Sequence, residues 1–301
     1  MSVAGVGERT TDKNTFIANE TQTLWNIDQA EPMGGQNEYG THPFYLSRAA
    51  KDSYFAVFNQ NAGAQDLVFS AVSNKQQNIT HYHTRGEIDL YVMMGSTPTE
   101  VVKTYHSLIG LPTLNPWWSF GWGQCKWGYY NQTILEEVVA NYSALNIPLD
   151  VIWSDIDYLQ DYKDFTYDTV RFKDLPEIID KFHNMSLHWV PIIDAGIALR
   201  TWANYTAYEN GTEMNAFIMT EEGEQLVGQV WPVDAVFVDW THENATKYWH
   251  SQLSDLHSKV KFDGLWLDMD EASNFPCDGA CYPWLEPKKP VKYDLRYIPG
   301  N

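Results

Sequence analysis

Between about Thr23 and Thr104 the apolar residues come in short runs that turn signals separate. The runs are FYLS at 44–47, YFAVF at 54–58, DLVFSAV at 66–72 and EIDLYVMM at 87–94. Short β-rich runs at this spacing are typical of an antiparallel sandwich. A helical stripe over 97–109, with apolar residues at 101, 102, 105, 108 and 109, is then predicted to lead out of the sandwich.

After Pro116 the pattern changes to apolar strands that alternate with amphipathic helices. Strands are predicted over 117–124, 149–155, 186–194 and 264–271, and helices after Asn131, over about 175–183 and over about 243–259. Buried strands that are each followed by a helix are typical of a parallel sheet. Four such repeats suggest half of an eight-fold barrel.

Together these patterns predict an α/β plus β protein with two domains. The first is an N-terminal antiparallel β-sandwich at residues 1–110. The second, at 111–301, is the first half of a (β/α)8 TIM barrel, truncated after the fourth strand. Gly110-Leu-Pro112 and Asn115-Pro116 punctuate the boundary.

Composition narrows the class of protein. With 44% apolar and 15% aromatic residues, the 301-residue chain can build a globular core, which excludes intrinsic disorder. Its 39 acidic and 20 basic residues give a net charge of −19, so nucleic acid is not expected as a partner. No stretch reaches the roughly 20 apolar residues that span a bilayer. The first residues also lack an apolar run of signal-peptide length, so we expect a soluble chain without a targeting segment.

Glycan acceptor sites and cysteines indicate a compartment. Asn-x-Ser/Thr sequons occur at Asn19, Asn78, Asn131, Asn141, Asn184, Asn204, Asn210 and Asn244. So many favour N-glycosylation in the secretory pathway, with a lysosomal, vacuolar or extracellular destination, and imply that the chain is not a complete precursor. Cys277 and Cys281 could form a small disulfide or remain reduced, and Cys125 is interpreted as a buried free thiol. A zinc site would need two more ligands nearby, so no metal is expected.

Three successive predicted strands end in carboxylates. Asp155 and Asp157 end the second, Asp194 the third, and Asp268, Asp270 and Glu271 the fourth. A lone loop aspartate usually caps a helix, but barrel enzymes place their working groups at these strand ends. Trp153, Trp231 and Trp266 could cover the C–H face of a pyranose there. Such a carboxylate could act as a nucleophile at an anomeric carbon.

The segment GLWLDMDEASNF at 264–275 resembles the nucleophile signature of glycoside hydrolase family 31. Further motifs in the family's order are PWWSFGWGQCKWGY at 116–129, IPLDVIWSDIDYLQDYKDFTYD at 147–168, Ile-Ile-Asp at 192–194 and QVWP at 229–232. The form Asp-Ile-Asp-Tyr at 155–158 is similar to the α-glucosidase branch. The resemblance implies cofactor-free, retaining hydrolysis of terminal non-reducing α-linked glucose from oligosaccharides.

The resemblance also implies roles for individual residues. Asp268 would be the nucleophile, and Glu271 would orient its loop. Asp155 would accept hydrogen bonds from the glucose hydroxyls, and Asp28 would reach into the same pocket from the sandwich. The wall of the glucose subsite would be formed by Ile156, Ile192, Trp231, Trp266 and Met269. Relatives often carry a disulfide after the nucleophile loop, which favours pairing of Cys277 with Cys281.

Two departures from the family pattern leave alternatives open. Asp270 stands where the signature usually has Asn, Ser or Ala, and its charge would tend to raise the pKa of Asp268. The family's acid/base lies downstream of Asn301, so residues 1–301 alone are expected to be inactive. The alternatives are a transglucosylase or α-glucan lyase of the same family, and a glycan-binding or non-functional fragment. Trp117, Trp118, Trp122 and Trp127 are interpreted as packing residues, and His81, His83 and His188 as structural.

Overall fold

The computed structural model of the protein describes residues 3–9, 20–26, 37, 40–73, 76–199, 205–270 and 273. The described residues before Leu114 form one compact unit, and those from Leu114 onward form a second.

Antiparallel strands dominate the first unit. In chain order they are β1 (Val3–Gly5), β2 (Glu20–Leu24), β3 (Phe44–Ala50), β4 (Ser53–Asn59), β5 (Gln65–Ser73), β6 (Gln76–His83) and β7 (Leu90–Gly95). One sheet has the order β1-β3-β4-β7 and the other β2-β5-β6. Every pair within these sheets is antiparallel.

The two sheets share one hydrophobic core. Tyr45 and Val57 of the first sheet contact Leu67 and Phe69 of the second, and all four side chains are buried. Alternation along each strand sends every second residue to one face. The sheets therefore bury their apolar faces against each other.

The helix α1 (Pro98–Ile109) covers the other face of the four-stranded sheet, and it confirms the helix predicted over 97–109. It begins where the Thr97 hydroxyl accepts a hydrogen bond from the Glu100 N–H, at 3.2 Å. Val101 and Tyr105 are its buried residues and pack with Phe44. These contacts explain the apolar stripe, although only part of the stripe reaches the core.

The second unit alternates strands and helices. It contains a 3₁₀ turn at Trp117–Phe120, β8 (Gly123–Gln124), α2 (Gln132–Ala144), β9 (Val151–Ser154), a 3₁₀ turn at Ile156–Tyr158, α3 (Leu175–Asn184), β10 (His188–Asp194), β11 (Gly196–Ala198), α4 (Thr206–Glu213), β12 (Val227–Val230), β13 (Val233–Phe237), α5 (Ala245–Lys259) and β14 (Trp266–Asp268). The strands β8, β9, β10 and β14 form a parallel sheet in that order. The strands β11, β13 and β12 form a separate antiparallel sheet.

The parallel sheet has its core under α2 and α3. The α2 helix begins at Asn131, whose side chain accepts from the Ile134 N–H at 3.0 Å, as the sequence suggested. Leu135 of α2, Phe182 of α3 and Trp189 of β10 are buried in one cluster. This packing fixes the helices on the sheet and leaves the strand ends free to present polar side chains.

Three expectations for the start of the second unit are corrected by the structure. The predicted strand 117–124 is a 3₁₀ turn followed by a two-residue strand, because the Ser119 hydroxyl and backbone N–H both bond to the Pro116 carbonyl. Trp117, Trp122 and Trp127 do not fill a core, since they are 90%, 57% and 59% exposed. Trp118 does pack, because its ring stacks on that of His188 with centroids 4.3 Å apart. Cys125 is likewise exposed rather than buried.

The candidate active site

The carboxylates predicted at three strand ends meet at one edge of the parallel sheet. Asp194, the last residue of β10, is the register partner of Asp268, the last residue of β14. On the other side of β10, Pro191 pairs with Ser154, and Asp155 follows Ser154 directly. Parallel strands align their carboxyl ends, so the sequence pattern becomes a spatial group.

Asp155 begins the 3₁₀ turn Ile156–Tyr158, and its side chain is half-buried. Its Oδ1 accepts a hydrogen bond from the Ile156 N–H at 2.7 Å. Burial, followed by the negative charges of Asp157 and Asp268, raises the pKa of Asp155 against the effect of that hydrogen bond. Asp155 and Asp268 are therefore near enough to repel each other electrostatically.

Apolar side chains lie directly beneath this pair. Ile156 and Ile192 are buried in the cluster under the sheet, and Trp266 packs against the same cluster. The Trp153 and Trp266 rings meet edge to face, with centroids 6.0 Å apart. The structure thus brings together five of the residues singled out for the pocket, counting Asp155 and Asp268.

Met269 and Trp231 belong to a neighbouring group. Met269 follows Asp268, has a positive φ of 61°, and packs with Val230 beside Trp231. A left-handed backbone is uncommon for methionine and marks a locally strained turn immediately after Asp268. The Trp231 ring lies 6.2 Å from the ring of Trp127, and both indoles are exposed.

Asp157 fixes the loop that presents Trp127. Its buried carboxylate accepts a hydrogen bond from the Gly128 N–H at 2.7 Å. Gly128 has a φ of +112°, a backbone conformation that residues other than glycine rarely adopt. The loop therefore holds Trp127 at the same sheet edge as Asp155.

Cys125 lies in the same loop, next to the acidic group. Desolvation, then the charge of Asp155 and, more weakly, that of Asp157, raises the pKa of the Cys125 thiol to about 11. The thiol is thus held protonated at neutral pH, and it serves as a chemical reporter of the charge on Asp155.

A buried carboxyl that sequence reasoning missed lies below this edge. Asp164 is 0% exposed, and its Oδ1 accepts a hydrogen bond from the Asp194 N–H at 2.9 Å. Burial, together with the charges of Asp194 and Asp270, holds the pKa of Asp164 well above its usual range. The only sequence signal was its position in KDFTYD, nine residues after Asp155, where nothing distinguished it from a solvated loop residue.

Four predicted residues lie outside the described residues: Asp28, Glu271, Cys277 and Cys281. Within the described ranges, no group of three or more His, Cys, Asp or Glu side chains is arranged to hold a metal ion. A search of the same ranges finds no helix with the length and apolar character needed to span a bilayer.

A family comparison agrees with this arrangement. Residues 112–297 match the TIM-barrel domain of glycosyl hydrolases family 31. The match covers the parallel sheet, all of the strand ends just described and more than half of the chain. The chain belongs to glycoside hydrolase family 31, as the sequence motifs predicted.

Individual relatives extend the similarity into the first unit. Lysosomal alpha-glucosidase of Rattus norvegicus is 36% identical over 274 residues, which are 91% of this chain and 28% of the rat protein. Glucoamylase 1 of Candida albicans is 39% identical over 268 residues, 86% of this chain and 28% of that protein. The chain thus spans under a third of the length of these relatives.

A solved structure shows the same fold. The glucosidase II alpha subunit, crystallised with Glc1Man2 bound, has a TM-score of 0.84 at 24% identity. The alignment covers 91% of this chain and 32% of that chain. The fold class of the prediction is confirmed at this level, as antiparallel sheets followed by a parallel sheet of a TIM-barrel domain.

Proposed function

We propose that this chain is part of a retaining α-glucosidase that hydrolyses terminal non-reducing α-linked glucose from oligosaccharides. The observation that carries the proposal is the meeting of Asp155 and Asp268 at one sheet edge, close enough for their charges to interact. The proposal draws further support from the names of the rat and Candida relatives, which are an alpha-glucosidase and a glucoamylase.

In this proposal Asp268 attacks the anomeric carbon of the glucose and forms a covalent glucosyl-enzyme. The leaving oxygen takes a proton from a carboxylic acid, which then activates water for the second step. No described residue is assigned to that acid. Glu271, which lies outside the described residues, is proposed to orient the nucleophile loop.

In this proposal polar groups bind the glucose hydroxyls, and apolar groups form the wall of the subsite. Asp155 keeps its Oδ2 for glucose hydroxyls, because its Oδ1 accepts the Ile156 N–H. Asp28 would add a second acceptor. The proposed wall of the subsite is formed by Ile156, Ile192, Trp231, Trp266 and Met269. Trp127 is added as an exposed aromatic platform beside Trp231, since a flat indole can cover the C–H face of a second sugar.

We also propose the finer architecture that the sequence suggested. The first unit corresponds to an N-terminal β-sandwich domain, placed at residues 1–110, in which two antiparallel sheets share a core. The second corresponds to the first half of a (β/α)8 barrel at 111–301. Its four parallel strands in sequential order support this assignment.

A secretory location is proposed from the sequons and from the lysosomal name of the rat relative. The partner is then an α-glucosidic oligosaccharide, and N-glycans are expected on the chain. The glucosidase II alpha subunit that shares the fold was crystallised with a glucose-containing glycan, which is compatible with this substrate class.

The nucleophile can be tested by mechanism-based labelling of the naturally produced enzyme. A fluorinated α-glucosyl fluoride should trap a glucosyl adduct on the peptide that contains Asp268. Asp268→Asn should prevent the adduct and lower kcat by on the order of 10⁴-fold or more, because the covalent step is lost. An adduct on Asp155 or Asp270 would overturn the assignment.

Asp270→Asn is the matched control, since it restores the residue usual in the family and lies two positions from Asp268. We expect activity equal to or above that of the wild type, because a neighbouring negative charge is removed. A large loss would give Asp270 a role of its own. Product analysis with maltose separates hydrolysis, which yields only glucose, from transfer to a longer sugar and from elimination.

A further inference from the structure

Asp164 is a fully buried carboxyl for which the proposed mechanism has no use. It lies in the loop after β9, and the Asp194 N–H donates to its Oδ1 at 2.9 Å. The Tyr205 hydroxyl donates to the Asp164 backbone carbonyl at 3.2 Å and holds the loop from the other side. Asp164 is thereby fixed against the end of β10.

The second carboxyl oxygen of Asp164 has no hydrogen-bond partner among the described residues. Among the described residues, Oδ2 is buried and accepts no hydrogen bond, and Asp164 forms no ion pair. The nearby tyrosine hydroxyls donate to other acceptors: Tyr158 donates to the Ile192 carbonyl, and Tyr248 donates to the Ala207 carbonyl.

The charged groups around Asp164 are mainly acidic. Asp194 is 2% exposed, and both Asp194 and Asp270 act on Asp164 through their negative charge. Lys163, the adjacent residue, directs its ammonium toward Asp161 at 3.5 Å. A carboxylate without a donor or a counter-charge in such a site takes up a proton instead, because two neighbouring carboxylates cannot both remain ionised at low cost.

We propose that Asp164 is the neutral member of an acid–carboxylate pair, in which its Oδ2–H donates to the carboxylate of Asp194. Together with the Asp194 N–H that donates to Oδ1, this forms a two-point attachment between the loop and the end of β10. Asp194 is the register partner of Asp268, so the attachment holds the strand beside the nucleophile. Asp164 is then a positioning residue. Its effect on catalysis rests on the proposed function.

Infrared spectroscopy tests the proton itself and does not depend on glucosidase activity. The wild-type chain at pH 7 should show the carbonyl stretch of a protonated carboxylic acid, which is separate from carboxylate bands. Asp164→Asn should lose this band while keeping the fold, because an amide supplies a neutral donor of nearly the same shape. Asp164→Leu keeps the volume but removes the donor, and it should perturb the end of β10.

The matched control is Asp168→Asn on the same loop. Asp168 is an ionised residue, since its carboxylate accepts from the Arg171 side chain at 2.6 Å and from the Val170 and Arg171 N–H groups. Burial opposes ionisation there, but these hydrogen bonds and the Arg171 charge lower the pKa of Asp168 overall. The infrared band should be unchanged in this variant, whereas an effect equal to that of Asp164→Asn would contradict the proposal.

The pH dependence of thermal stability gives a second readout. A carboxyl whose pKa is raised in the folded state stabilises the fold fully below its unfolded pKa, and this contribution is lost as the pH rises through the folded pKa. The wild type should therefore lose stability relative to Asp164→Asn as the pH rises from about 4 toward 8. The opposite trend, or an Asp164→Asn chain that cannot fold, would mean that Asp164 works as an ionised carboxylate and would overturn the proposal.

Activity measurements separate this proposal from the proposed function. If the enzyme is an α-glucosidase, Asp164→Asn should keep kcat within about threefold of the wild type, while Asp164→Leu should lower kcat with little change in KM. If glucosidase activity is absent altogether, the infrared band still decides the protonation of Asp164. An active Asp164→Leu variant with wild-type kcat would remove the positioning role even where the band is present.

Discussion

Asp263 joins three segments at the end of the parallel sheet opposite the candidate active site. Its Oδ2 accepts hydrogen bonds from the Trp189 N–H and from His183 Nε2, both at 2.8 Å, and its Oδ1 lies 3.1 Å from His188 Nδ1. Asp263 comes five residues before Asp268, so these contacts fix the start of β14 beside β10.

We predict that Asp263→Ala destabilises the second unit by about 3 kcal/mol. Leaving the N–H of the fully buried Trp189 without its charged acceptor costs about 1–3 kcal/mol. The partly exposed pairs with His183 and His188 add at most about 1 kcal/mol each, and only when the imidazoles are protonated. For a domain of this size the loss corresponds to a melting temperature lowered by roughly 6–12 °C.

The effect should depend on pH in a defined direction. Burial alone would raise the pKa of Asp263, but the hydrogen bonds from Trp189 and His183, with His188 close by, outweigh it and lower that pKa overall. A carboxyl with a lowered folded pKa stabilises the fold above its unfolded pKa of about 3.9, and that stabilisation is lost as the pH falls through the folded value. The loss of stability caused by Asp263→Ala should therefore become smaller toward pH 3.

Thermal denaturation followed by tryptophan fluorescence between pH 3 and 7 measures both quantities. Asp255→Ala is the matched control, because Asp255 forms an exposed pair with Lys259 at 2.6 Å within one helix. Such pairs contribute about 0.5 kcal/mol or less. A deficit for Asp263→Ala that equals the control, or that stays constant across the pH range, would refute the reasoning.

Two further predictions concern single side chains. Glycopeptide mass spectrometry after secretion should find Asn78 occupied, because it is exposed, and Asn244 unoccupied, because its Nδ2 already donates to the Met214 carbonyl at 2.8 Å; full occupancy of Asn244 would contradict this. Peptide mapping should find Cys125 alkylated at pH 8 on the order of a hundredfold more slowly than free cysteine, since its pKa of about 11 leaves little thiolate. Asp155→Asn should speed the reaction, and an unchanged rate would show that the charge of Asp155 does not reach the thiol.

Strong periodic patterns in the sequence were sufficient to predict most of the second unit. The apolar runs that became β9 and β10 are buried on both faces, and α2, α3 and α5 begin within a few residues of their predicted positions. The three strand-end carboxylates could be grouped from sequence because parallel strands align their ends.

Elements with weak hydrophobic patterns were missed. The strand β6 reads QQNITHYH, and it was not predicted because few of its side chains are apolar. The helix α4 and the antiparallel sheet of β11, β12 and β13 interrupt the βα repeat without a strong apolar period. Burial of Asp164 depends on tertiary packing around a polar residue, which no local pattern encodes.

The acidic residues of the second unit differ in charge because their surroundings in the fold differ. The local sequence around each of them does not show this difference. Asp168 has an arginine and two backbone donors and stays ionised. Asp155 has one backbone donor and two acidic neighbours, and its pKa is raised. Asp164 has one donor, no described counter-charge and complete burial, which favours the neutral acid. In the proposed mechanism Asp268 reacts as a carboxylate, so the charges of the neighbouring acidic groups bear on it. A neutral Asp164 therefore places no second negative charge beside Asp194, the residue that pairs in register with Asp268.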